Sequence, residues 1–143
     1  MNSDYTLNRF LSAQQNIYSR VLKELQKGKK TTHWMWFIFP QIEGLGNSST
    51  AKYYSIKTIK EAKEYVEHPV LGIRLLECAN ILLKINGKSA DDIFGYPDNL
   101  KLKSSITLFN YVIPEHNVFI AVIKKYFEGE QDKHTLLILE KMK

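Results

Sequence analysis

The residues of this chain best suited to chemistry cluster around one aromatic block, His33-Trp34-Met35-Trp36-Phe37-Ile38-Phe39-Pro40-Gln41. A histidine beside such a block can serve as a general acid or base near neutral pH. Equally, it can be a buried ring satisfying a backbone carbonyl. Trp34, Trp36 and Tyr54 can be plain core, or a wall on which a base or sugar stacks. Just downstream, Gly44, Gly46 and Ser48 precede a short helix. Backbone N–H groups exposed at its start would suit a phosphate or carboxylate, although a tight turn with a serine cap accounts for the same residues.

A second polar run spans Asp98, Lys101, Ser104, Ser105 and Thr107. Hydroxyl residues are poor helix formers, so several of them in mid-helix implies bonds to a neighbouring backbone or to a ligand. A nucleophilic serine there would need His33 or His68 delivered by the fold. Arg74 lies in an otherwise apolar segment and must be paired. Its partner is Glu77, three residues on, or an anionic ligand. His68 precedes Pro69 and reads as a cap or hinge. The candidate site therefore has His33 and Asp98 as proton-transfer groups. Gln41, the turn glycines, Ser48, Tyr54, His68, Arg74, Lys101, Ser104, Ser105 and the two tryptophans are its binding residues.

Metals and common cofactors have no such set. His33, His68, His116 and His134 never take a metal-type spacing, and Cys78 has no cysteine neighbour. There is no P-loop and no dinucleotide fingerprint, so no metal and no cofactor is expected. Cys78 also cannot form an internal disulfide, and no apolar signal segment follows the polar start Met1-Asn2-Ser3-Asp4. Both points predict a reducing, cytoplasmic setting.

The elements that must position these groups are helical. The chain has 143 residues, 44% of them hydrophobic and 12% aromatic, which predicts one globular domain over residues 1–143. Leu7, Phe10, Leu11, Gln14, Ile17, Tyr18, Val21, Leu22 and Leu25 recur at helical spacing, predicting one helix from about Asp4 or Thr6 to Gly28. The aromatic block has no solvent side in any regular structure, is far short of the about 20 residues of a membrane span, and as a single strand would lack a sheet partner. Helix is the consistent reading for it. Ser48 or Ser49 is expected to cap a short helix, and Lys57 to Glu67 to form another. Val70 to Ile85 is the most apolar stretch, expected to be buried on most sides as the central helix. Ser89 with Asp92 forms a capping box, Asp98 is expected to cap a helix to about Val112, and two more helices follow, the last capped by Asp132. The predicted architecture is all-α, with seven or eight helices around a central apolar one.

With these motifs in view, the chain resembles the bacterial family labelled domain of unknown function 1810, some of whose members carry a misleading "calpastatin" label. The resemblance rests on Arg9-Phe10, the block from His33 to Gln41, Gly44-Leu45-Gly46 with Ser48, and His68-Pro69-Val70-Leu71-Gly72 with Arg74-Leu75. It continues through Ile93-Phe94-Gly95 and from Asp98 to Phe109. It implies a mainly helical single domain, of the fold of a mycobacterial conserved hypothetical protein, and carries no activity, substrate or catalytic residue with it.

Two functional expectations follow. One is a pocket for a small anionic, nucleotide-like ligand, with hydrolase or transferase chemistry as its extension. The alternative is a non-catalytic protein-interaction module. Nucleic-acid binding is disfavoured despite the net charge of +5: of 20 basic residues only Arg9, Arg20 and Arg74 are arginine, and only Lys27-Gly28-Lys29-Lys30 is a local cluster. No membrane partner is expected, and no pattern specifies an oligomeric state.

Overall fold

The computed structural model describes residues 3–143, with side chains from Leu7 onward. It is an all-α single domain of ten helical segments among the described residues: α1 Ser3–Gln14, α2 Tyr18–Gln26, α3 Met35–Ile38, α4 Ser49–Tyr54, α5 Ile59–Glu67, α6 Leu71–Lys84, α7 Ala90–Phe94, α8 Asp98–Val112, α9 Asn117–Phe127 and α10 Lys133–Met142. The β-type pairing among the described residues is a single isolated bridge between Ile42 and Ile56, both outside the helices. No described helix is long and apolar enough to cross a membrane.

The long first helix is in fact two, broken at residues 15–17. Gln14, 1% exposed, explains the break. Its side-chain amide donates to the Phe37 carbonyl at 2.7 Å and to the Tyr65 hydroxyl at 3.1 Å, and accepts from Arg74 at 3.2 Å. Burying that amide fixes α1 against α3 and α5, while the break leaves α2 free to pack on α6. The expected start near Asp4 or Thr6 compares with Ser3; side-chain contacts at those two positions lie outside the described residues.

The central helix is α8, not α6. Residues 104–109 of α8 are all buried, and it packs on α3, α5, α7, α9 and α10. α6 is the more apolar by sequence, yet Ile73 on it is 64% exposed. α8 is central although it carries hydroxyls, two of which find partners within the protein. Ser104 donates to the Leu100 carbonyl at 3.2 Å, and Thr107 accepts from the Asp132 N–H at 2.9 Å, tying α8 to α10.

The expected caps at Ser48, Ser89 with Asp92, and Asp132 are all present. Asp98 is different. Pro97 occupies the N-cap position of α8, so Asp98 is the first helical residue and makes no cap. α5 and α6 meet so closely that a Cβ on Gly72 would lie 1.8 Å from the Val66 carbonyl oxygen. That corner is turned by His68, whose Nδ1 accepts from the N–H groups of Val70 and Leu71 at 3.0 and 3.2 Å.

Candidate functional site

The aromatic block forms one helical turn, α3, with its two tryptophans in opposite roles. Trp34 is 1% exposed. Its indole N–H donates to Glu24 Oε1 at 2.9 Å, and its ring packs on Phe39 and Phe94. Trp36, two residues on, is half-buried and lines a cleft of about 360 Å³ with Lys30, Thr31, Thr32, His33, Met35, Phe94, Tyr96, Pro97 and Asp98.

Asp98 organises this cleft. From the first turn of α8 one carboxylate oxygen meets Lys30 Nζ at 2.7 Å, and the other meets Lys101 Nζ at 3.5 Å. The Lys30 side chain is only 6% exposed, so its ammonium depends on that partner. Lys101 lies 5.0 Å from the centre of the Trp36 ring, and Lys30 5.2 Å from that of Trp34. Cation–π contacts of this kind contribute about 0.5–1 kcal/mol each where solvent reaches them. His33 is exposed at the rim and makes no side-chain hydrogen bond among the described residues.

The wall carrying Thr31 and Thr32 is fixed from behind by Glu24. Its carboxylate accepts from the Thr31 N–H (2.7 Å), the Thr32 N–H (3.1 Å), the Thr32 hydroxyl (2.6 Å) and the Trp34 indole. Burial raises the pKa of this carboxyl. The Thr32 hydroxyl, the Thr31 amide, the Trp34 indole and the Thr32 amide outweigh it and bring the group down to about 2.

A second cleft of about 260 Å³ adjoins the first at Pro97 and is lined by Gln41, Leu45, Gly46, Leu100, Lys101, Ser104, Asp132 and His134. Gly46 is required there: a Cβ would stand 2.6 Å from that of Ala51. Of the expected residues, the structure thus brings His33, Trp36 and Asp98 together in the first cleft, and Gln41, Gly46, Lys101 and Ser104 in the adjoining one.

The others lie in neither cleft. Ser48 caps α4 through the Ala51 N–H at 3.1 Å, and Gly44 turns the preceding loop at φ 109°. Tyr54 packs its ring at a tilt against those of Phe10 and Phe37. Arg74 does not pair directly with Glu77. Its guanidinium bonds Gln14 and lies 4.6 Å from the Tyr18 ring centre, and the Tyr18 hydroxyl in turn donates to Glu77 at 2.5 Å. Ser105 is fully buried in α8, its hydroxyl without a partner among the described residues.

Thr31, Thr32 and Tyr96 were not singled out as ligand contacts in the sequence, and Lys30 only as part of the basic cluster Lys27-Gly28-Lys29-Lys30 weighed for nucleic acid. Lys30 and Asp98 are 68 positions apart, and no local pattern joins them. No set of three or more histidine, cysteine or acidic residues among the described ones is placed to hold a metal ion.

An all-α domain with a lysine–aspartate–lysine cluster beside a half-buried indole is the class the fold and clefts define. The chain belongs to the family described as "Protein of unknown function (DUF1810)", which it matches over residues 4–139. It is similar to the conserved hypothetical protein Rv1873 from Mycobacterium tuberculosis, with 44% sequence identity and a TM-score of 0.92 over 94% of this chain and 96% of that one. No curated protein matches the chain.

Proposed function

We propose that the protein binds a small anionic ligand carrying a planar group, of nucleotide-like chemistry, in the cleft between Trp36 and Asp98. The observation that carries this reading is the charge count at Asp98. One carboxylate is shared between two ammonium groups, so the trio carries one positive charge in excess where the Trp36 cleft meets the adjoining one. An anion would complete that set, and the Trp36 and Tyr96 rings offer faces for a base or sugar.

Asp98 holds charge in this arrangement, since both of its oxygens are engaged. Hydrolase or transferase chemistry on the ligand would therefore run through His33. The interaction-module reading draws less support. The exposed side chains of Tyr96 and Leu100 line the two clefts, and the other strongly exposed ones, Tyr53 on α4, Ile73 on α6 and Leu137 on α10, belong to three different helices.

Thermal denaturation with adenosine monophosphate, ribose 5-phosphate and inorganic phosphate tests the proposal. At a hundredfold excess over Kd a ligand adds about 2.7 kcal/mol of stability. Adenosine monophosphate is expected to raise the Tm saturably, with most of the gain lost in Lys101→Ala and part in Trp36→Ala. No shift with any of the three, or equal shifts in the variants, contradicts it.

A further inference from the structure

On the far side of the Thr31–Thr32 wall lies a third cleft, of about 430 Å³, lined by Arg20, Lys23, Lys27 and Lys29 with Glu24 at its base. Arg20, Lys23 and Lys27 follow one another at three and four residues, so they share one face of α2 and its continuation. Lys29 closes the cleft from the returning chain, held there by a bond from its N–H to the Glu24 carbonyl at 3.0 Å. None of these four cations makes an ion pair among the described residues; Asp92, near enough to Lys29 to feel its charge, does not line the cleft. Glu24, the acid of the lining, is turned inward and committed to four donors of the wall. A helix C-terminus accounts for Lys23 and Lys27, but not for Arg20 and Lys29 in the same concavity. Like charges gathered in a cleft repel one another and focus a positive field.

We infer that this cleft is a polyphosphate site, binding the phosphate chain of a nucleoside di- or triphosphate. Thr31 and Thr32 line both this cleft and the Trp36 cleft, so a single ligand can place its ring on one side of the wall and its phosphates on the other. The span of one ligand across the wall rests on the ring site proposed above; the phosphate site itself does not. Arg20 supplies a planar fork for two phosphate oxygens, and the lysines act as point charges.

The test is calorimetric titration of the wild-type protein with inorganic tripolyphosphate, adenosine monophosphate and adenosine triphosphate. The same ligands are then titrated into Lys23→Gln/Lys27→Gln and into a control of equal charge loss, Lys60→Gln/Lys63→Gln on α5. Tripolyphosphate is expected to bind the wild type and the control alike, and about tenfold or more weaker to the cleft variant, as loss of charge-assisted bonds implies. The triphosphate is expected to bind tighter than the monophosphate by a margin that the cleft variant abolishes, with monophosphate affinity unchanged. Absent tripolyphosphate binding, or equal losses in cleft variant and control, overturns the inference. So does a single-stranded oligonucleotide binding tighter than the triphosphate, which would make the cleft a nucleic-acid track. If tripolyphosphate binds as expected and the monophosphate does not bind, the Trp36 reading fails while this one stands.

Discussion

The indole N–H of Trp34 donates to the carboxylate of Glu24 at 2.9 Å. That one bond joins α2 to the aromatic block and fixes the wall between two clefts. The tryptophans differ in placement: Trp34 is buried, and Trp36 lines the cleft.

Glu24→Gln is expected to destabilise the protein by about 2–4 kcal/mol. The new amide turns a donor toward groups that are themselves donors, leaving at least one of them unsatisfied. Chemical denaturation measures it; a change under about 0.5 kcal/mol would show that the four bonds are dispensable.

The same carboxyl sets a pH dependence. Its folded pKa, about 2, lies below the ordinary 4.5. The stability it contributes is therefore complete above about 4.5 and is lost as the pH falls toward 2. The contribution is on the order of 2 kcal/mol after allowance for solvent screening. Unfolding free energies measured down through this window should fall more steeply for the wild type than for Glu24→Gln. Parallel curves would contradict the assignment.

Gly72→Ala is expected to cost about 3 kcal/mol or more, or to prevent folding, because the added methyl meets the Val66 carbonyl oxygen and the α5–α6 corner cannot yield without moving backbone. Ser105→Ala should be neutral or stabilising by up to about 1 kcal/mol, since it removes a buried hydroxyl without a partner among the described residues. A marked loss of stability in Ser105→Ala would mean that the hydroxyl is satisfied in solution.

Burial pushes the Cys78 thiol up to about 12. With no thiolate and no access, it should resist a thiol reagent at mildly alkaline pH until the protein unfolds. Labelling of the native protein at the rate of a free thiol would place Cys78 in an opening segment.

What was legible in the sequence follows how local each signal is. The caps at Ser48, Ser89 and Asp132 were readable because donor and acceptor lie within three residues. The break after Gln14 was not, since the groups that bury its amide, Phe37, Tyr65 and Arg74, come from three distant elements. Apolar content pointed to α6 as the central helix, yet α8 takes that place: Ser104 and Thr107 find partners within the protein, and only the Ser105 hydroxyl is buried without one among the described residues. The same limit governs the clefts: Asp98, His33 and Trp36 could be named from residue type, but the pairing of Asp98 with Lys30 depends on tertiary structure. Arg74, Ser48 and Tyr54 carry the same chemical types and are used to hold the fold together.

The most direct measurement of the central claim is a titration with adenosine monophosphate followed by the two indole N–H resonances, one per tryptophan. The account predicts a saturable shift of the Trp36 signal, with the Trp34 signal, bonded to Glu24 in the core, unmoved. A Trp36 resonance that stays in place while the ligand reaches saturating concentration would contradict it.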